Sequence, residues 1–172
     1  MRVQAELGFT WKPPNALQRA LQRVGATRPG SWLFQRTLYR IDRPLHRWSS
    51  GRITLPGLVV GLPVVMLTTT GARSGLPRTM PVAAIPWGAD IAILGTNYAQ
   101  PRSPAWVHNL LADPQATVTW RQSRVRVRAR VARADEVEGI WSMADEVFIG
   151  FTGYRARVHD RPVYQFVLES PG

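Results

Sequence analysis

The sequence predicts an α+β fold dominated by antiparallel β structure, a barrel of about six short strands with helical decoration. Three observations predict it. Strand-length apolar segments recur through residues 62–168 without the strand–helix–strand rhythm of a parallel sheet. Fourteen Pro and fourteen Gly in 172 residues supply many turns. From Arg124 onward, arginine alternates with small apolar residues at period two, as in a strand with one buried and one open face. Hydrophobic residues make up 45% and charged residues 19%, which excludes a disordered chain; the length suits one domain with a real core.

Taken in order, Asn15 can cap a short helix running to about Val24, and the Thr27-Arg-Pro-Gly segment ends it. Ser31 can cap a second helix, in which Phe34, Leu38, Ile41 and Leu45 recur at spacings of three and four beside Arg36, Arg40, Arg43 and Arg47. Pro44 weakens or ends it. Residues 62–70 form a β-branched run and read as a buried strand. A turn over 71–77 leads to a second strand over 78–86. The tight connection 87–90 leads to a third, over 91–96. After a loop at 97–103, Ser103 and Pro104 open a helix to about Ala112, stopped by Asp113-Pro114. Residues 117–120 pair with the alternating strand from Arg124 through a turn at Gln122 and Ser123. Residues 134–148 are a helix with acids near its start. A glycine-aromatic loop and a last strand over 162–168 complete the chain.

The net charge is +11, and two islands carry it: residues 1–52 hold ten basic and two acidic groups, and residues 121–133 hold six arginines and no acid. Lys12 is the single lysine; the other 21 basic residues are arginines. Such a balance predicts an anionic partner, although a GC-rich codon bias accounts for much of the preference for Arg over Lys. The basic helices of 1–52, with Trp32 and Trp48 at their flanks, fit either an anionic membrane surface or a helix pair lying on the core. The row Arg124, Arg126, Arg128 and Arg130 fits either a solvated face or an anion track. Nucleic acid is the weakest partner, because no aromatics interleave with the strand arginines. The longest apolar run, 57–67, is too short to span a bilayer and contains Pro63. With no secretory h-region, the expectation is a cytoplasmic protein, at most peripheral on the membrane.

The chain has no cysteine, which excludes disulfides, thiolate metal sites and cysteine nucleophiles. His46, His108 and His159 are far apart, no acid cluster has metal-ligand spacing, and no Gly-x-Ser-x-Gly elbow is present; no metal is expected. Any enzyme chemistry would then come from a cofactor. One segment stands out, Thr68-Thr-Thr-Gly-Ala-Arg-Ser-Gly-Leu-Pro-Arg78. Hydroxyls end a strand, two glycines allow close backbone approach, and Arg73 and Arg78 flank a serine, a donor set suited to a phosphate ester. A plain basic hairpin turn would look similar.

Together with Gly95-Thr-Asn-Tyr-Ala-Gln-Pro-Arg-Ser-Pro-Ala-Trp-Val-His-Asn-Leu-Leu-Ala-Asp-Pro, that segment resembles the deazaflavin-dependent nitroreductase family, actinobacterial split β-barrel oxidoreductases of the FMN-binding split-barrel type. The likeness runs from about Leu62 to the C-terminus. The charge distribution, taken with this likeness, divides the chain into a basic N-terminal extension, 1–52, and a cofactor-binding split barrel, 53–172. The resemblance has further implications. It implies coenzyme F420 as hydride donor and a quinone, nitro compound or enone-like acceptor. By position, Thr70, Arg73, Ser74, Gly75, Pro77 and Arg78 would hold the cofactor phosphate. Met80 and Val82 would lie near its rings, Asn97, Tyr98 and Ala99 over them, and Trp106 and Asn109 at the pocket. Phe148, Phe151 and Tyr154 would line the substrate pocket, with Tyr154 as candidate proton donor. The chain departs from the family at Asn97, where some members carry lysine, at Ala72, commonly basic, and at Phe151, often tyrosine. An FMN-binding barrel and a non-catalytic deazaflavin-binding or membrane-surface protein are the alternatives; monomer and homodimer both remain open.

Overall fold

The computed structural model describes residues 3–25, 61–158 and 160–171. The helix expected from Ser31, the 52/53 boundary, His46 and His159 lie outside the described residues. The N-terminal part begins with α1 (Val3–Leu7) and α2 (Ala16–Gly25). The Asn15 side chain accepts from the Gln18 backbone N–H (2.8 Å), while the Gln18 side chain accepts from Asn15 N–H (3.0 Å). This reciprocal cap is what Asn15 promised in the sequence.

Seven described strands form one antiparallel sheet: β1 (Val64–Thr70), β2 (Pro77–Ala83), β3 (Ile85–Trp87), β4 (Asp90–Leu94), β5 (Gln115–Trp120), β6 (Ser123–Val131) and β7 (Gln165–Glu169). Their spatial order is β2-β1-β5-β6-β7-β4-β3. The strand expected over 78–86 is therefore two strands at opposite edges of the sheet, with only Ala84 between them. Successive Cα atoms lie about 3.8 Å apart, so the two edges must meet and the sheet must curl into a barrel. Ala84 N–H leaves the strand ladder and donates to Pro63 O at 2.8 Å, which marks the switch. Within the sheet, the β5–β6 hairpin turns through Arg121 and Gln122, one residue earlier than expected, with Arg121 at φ +54°.

Two apolar clusters explain the hydrophobic patterns. Inside the curl lie Val65, Leu67, Ile91, Ile93, Val118, Val127, Phe166 and Leu168, joined by Val3, Leu7 and Phe9 from the N-terminal part. Residues 3–9 thus belong to the barrel core. On the outer side of β4 and β7, Ala92, Leu94 and Val167 meet α4 (Val137–Val147) and α5 (Gly150–Arg157). Both faces of β4 and β7 are covered, so their sequences run apolar without alternation. None of the described helices covers the outer face of β6 in this way, and there the arginines alternate.

The glycine-aromatic loop expected after the helix at 134–148 is instead the helix α5. Glycines at 150 and 153 disguised it. Its aromatic residues Phe151 and Tyr154, three apart, turn to one face and bury against α4 and the sheet. Gly150 is there for close approach: a Cβ on it would lie 2.2 Å from the Phe148 ring. The alternating arginines are also not equivalent. Arg124, Arg126 and Arg128 are exposed, but Arg130 binds Glu136 and Glu169, each at 2.6 Å, and is removed from the anion track expected of the whole row.

Candidate functional site

The turn between β1 and β2 carries the densest set of sequence-predicted site residues. Thr70 ends β1 and Pro77 opens β2 opposite it. Gly71 N–H donates to Leu76 O (2.9 Å), while Ser74 N–H and Gly75 N–H both donate to Gly71 O (3.1 and 2.7 Å), closing a tight loop. Gly75 sits at φ +65°, a conformation that a side chain would strain. The Ser74 hydroxyl accepts from Leu76 N–H (3.3 Å) and from the Arg78 guanidinium (3.4 Å). Arg73 and Arg78 are exposed and have no carboxylate partner among the described residues.

One buried amide fixes this turn from below. Asn109 lies on α3 (Ala105–Ala112) and is 7% exposed. Its Oδ1 accepts from Ala72 N–H (3.0 Å), and its Nδ2 donates to Thr69 Oγ1 (3.0 Å). Thr69, itself buried, belongs to the run of hydroxyls noted at the end of the strand, but sequence reading assigned it no role of its own. Trp106, on the same helix, packs edge-on to Phe166 with ring centroids 5.9 Å apart and anchors α3 to the core. Val82 is buried in the core, and Met80 is half-buried against it.

The loop after β4 holds the next group. Asn97, Tyr98 and Ala99 all adopt positive φ, at 47°, 54° and 60°. For non-glycine residues each such conformation costs on the order of 1–2 kcal/mol, so the surroundings must enforce it. Asn97 Nδ2 donates to Arg102 O (2.8 Å) and Gln100 Oε1 (3.2 Å). Arg161 does more. Its guanidinium donates to Thr96 O (2.8 Å), Gly95 O (3.0 Å) and Gln100 O (3.1 Å). Sequence reading missed Arg161, because only the fold brings it beside a loop some sixty residues earlier in the chain.

The loop places the exposed Tyr98 ring edge-on to Tyr154, with centroids 6.1 Å apart. Tyr154 in turn contacts Phe148 (6.2 Å) and Phe151 (6.0 Å), which meet each other at 5.8 Å. The three residues expected to form a substrate pocket therefore form one aromatic cluster, reached from the loop through Tyr98. Gln22 of α2 braces its backbone. It donates to Val147 O (3.1 Å) and accepts from Ile149 N–H (3.3 Å), a buried polar link that no local motif announced.

Comparison with known proteins bears on the family and the fold. A model of the F420H(2)-dependent quinone reductase family matches residues 38–170. Two F420H(2)-dependent quinone reductases of Mycobacterium tuberculosis are each 30% identical to the chain over 136 residues, 76% of this chain and 89% of the relative. The solved structure of an F420-H2 dependent reductase is similar with TM-score 0.57 and 29% identity, covering 62% of this chain and 94% of the other. A solved domain-swapped dimer is similar with TM-score 0.59 and 26% identity, covering 82% and 99%.

Proposed function

The chain belongs to the F420H(2)-dependent quinone reductase family, and from that premise we propose that its 70–78 turn holds the phosphate of coenzyme F420 while its aromatic cluster receives a quinone. It is an F420-dependent oxidoreductase with a split-barrel fold. The observation that carries the site assignment is the Asn109 clamp: a buried amide orders a turn that presents two guanidiniums lacking carboxylate partners among the described residues. The donor set fits the group. Fork-shaped guanidiniums, a serine hydroxyl and a glycine backbone match phosphate oxygens in charge and geometry.

When bound in its reduced form, the cofactor supplies a hydride. The protein's own part is placement. Arg73, Arg78, Ser74 and Gly75 hold the phosphate, with Thr70 and Pro77 shaping the ends of the turn. Met80 and Val82 support the rings from β2, and Asn97, Tyr98 and Ala99 cover them. Trp106 keeps α3, and with it Asn109, in register with the sheet. Phe148, Phe151 and Tyr154 exclude water from the acceptor. A quinone that gains one hydride needs one proton to become the hydroquinone, and the Tyr154 hydroxyl is the donor assigned here.

The test is a fluorescence titration with oxidised F420 and with FMN. Arg78→Ala is expected to weaken F420 binding about tenfold or more, and high salt to weaken the wild type, since one charge-assisted phosphate contact is lost. Preference for FMN, or F420 affinity indifferent to Arg78 and salt, would overturn the phosphate assignment.

A second reading concerns the N-terminal part. No described helix is long and apolar enough to cross a membrane. On α2, however, Leu17 and Leu21 are exposed one turn apart on one face, with Arg19 and Arg23 exposed on the opposite face, an amphipathic arrangement suited to the surface of an anionic membrane. Flotation with phosphatidylglycerol vesicles should fall in a Leu17→Ser/Leu21→Ser variant. These exposed sites avoid disturbing Val3, Leu7 and Phe9, which a deletion would strip from the core. Equal flotation removes this reading.

A further inference from the structure

Arg161 is half-buried and sits between two structures that the mechanism needs. On one side, its guanidinium binds the carbonyls of Gly95, Thr96 and Gln100 and reaches Ser103 Oγ (3.4 Å). On the other, it precedes the last strand, β7, just ahead of which the Tyr164 carbonyl accepts from Gly95 N–H (2.8 Å). Loop and strand are therefore tied at both ends of one short stretch. Among the described residues, Arg161 has no carboxylate partner. Burial pulls its guanidinium below the usual range, and among the described residues its hydrogen bonds go to backbone carbonyls and the Ser103 hydroxyl.

The three carbonyls bracket Asn97, Tyr98 and Ala99, the run of left-handed residues. Ordinary backbone preference would let that run relax to negative φ, and relaxation would carry Tyr98 away from Tyr154. The planar fork meets the three carbonyls from three separate nitrogens in fixed directions; a lysine ammonium has its three donors on one nitrogen at the end of a flexible stem and holds such a spread less firmly.

We propose that Arg161 is a positioning residue that keeps the 95–103 loop in its left-handed form, and so sets the Tyr98–Tyr154 pair that shapes the acceptor site. The assignment of that site rests on the family reading above; the loop-holding role does not.

The experiment uses the full-length protein in four forms: wild type, Arg161→Lys, Tyr98→Ala and the double variant. Amide hydrogen exchange is read without cofactor. Arg161→Lys is expected to speed exchange in 95–103 about tenfold or more, while amides of β1 and β5 are unchanged. With F420H2 as donor and a water-soluble naphthoquinone as acceptor, Arg161→Lys is expected to raise the quinone KM about fivefold with kcat much less affected. In the Tyr98→Ala background the same substitution should change KM less than about twofold, because its effect passes through Tyr98.

An equal KM effect in both backgrounds would show that Arg161 acts by another route and overturn the proposal. Unchanged exchange in 95–103, or faster exchange across the whole sheet, would overturn it independently of any activity. If the wild type neither binds F420 in a fluorescence titration nor reduces the quinone, the functional reading fails instead, and the exchange result still decides whether Arg161 holds the loop.

Discussion

Asn109→Leu is expected to weaken F420 binding by about tenfold to a hundredfold, about 1.4–2.8 kcal/mol. Among the described residues the side chain's hydrogen bonds go to Ala72 N–H and Thr69 Oγ1, so the loss is expected to come from disorder in the turn. Stability should fall by a further ~1–3 kcal/mol, because leucine fills the volume but leaves buried polar groups unmatched. Asn109→Asp separates geometry from charge. Its carboxylate can still accept from Ala72, and the Thr69 hydroxyl can rotate to donate to it, so the turn stays ordered. The added negative charge lies under the proposed phosphate site, however, and affinity should fall even though thermal stability is nearly retained. Isothermal titration beside thermal melts reads both quantities. Wild-type affinity in the leucine variant would remove Asn109 from the site.

Glu136→Gln is expected to cost about 3 kcal/mol of folding stability at pH 7. Glu136 is 7% exposed and lies just ahead of α4. Arg130 grips it with two nitrogens at 2.6 and 2.8 Å, and Arg133 adds its backbone N–H at 2.8 Å. Trp87 Nε1 lies 3.5 Å away. The Arg130 hydrogen bonds, aided by the Arg133 N–H and opposed by burial, hold the Glu136 carboxyl down to about 2 from its usual 4.5. The sign follows from that direction. A carboxylate depressed in the folded state contributes its stabilisation fully above 4.5 and loses it as pH falls toward 2. The gap between wild type and Glu136→Gln in urea unfolding should therefore be constant from pH 7 to about pH 5 and then narrow through pH 4 and 3. A gap that does not change with pH would mean that the carboxylate's charge is not what stabilises this corner.

Much of the candidate site was legible in the chain because its chemistry is local. Arg73, Ser74, Gly75 and Arg78 lie within six residues, and the turn they form is dictated by glycine placement and strand ends. Asn97, Tyr98, Ala99, Trp106 and Asn109 were legible only through the paired motifs. Their residue types alone do not reveal that Asn109 reaches back some forty residues to Thr69 and Ala72. Arg161 and Gln22 carried no signal at all. A single arginine among 21, or a glutamine in a helix of alternating Leu, Gln and Arg, looks like surface until its partners are known.

Local pattern set most of the strands, the β5–β6 hairpin, the cap on α2 and the glycine turn after β1. Periodicity, turn chemistry and capping act over a few residues and need no distant partner. It also determined that β6 would carry arginines on one face. The folded structure alone set which of those arginines stay exposed: Glu136 and Glu169 reach Arg130, whereas Arg124, Arg126 and Arg128 are exposed. It decided that one apparent strand is two, since Ala84 must bridge edges that meet only when the sheet curls. It decided that a glycine-rich stretch is a helix, since Phe151 and Tyr154 gain more from burial against α4 and the sheet than Gly150 and Gly153 cost the backbone. Each of these outcomes is set by burial and by polar partners far away in sequence, and that information is absent from any local window of the chain.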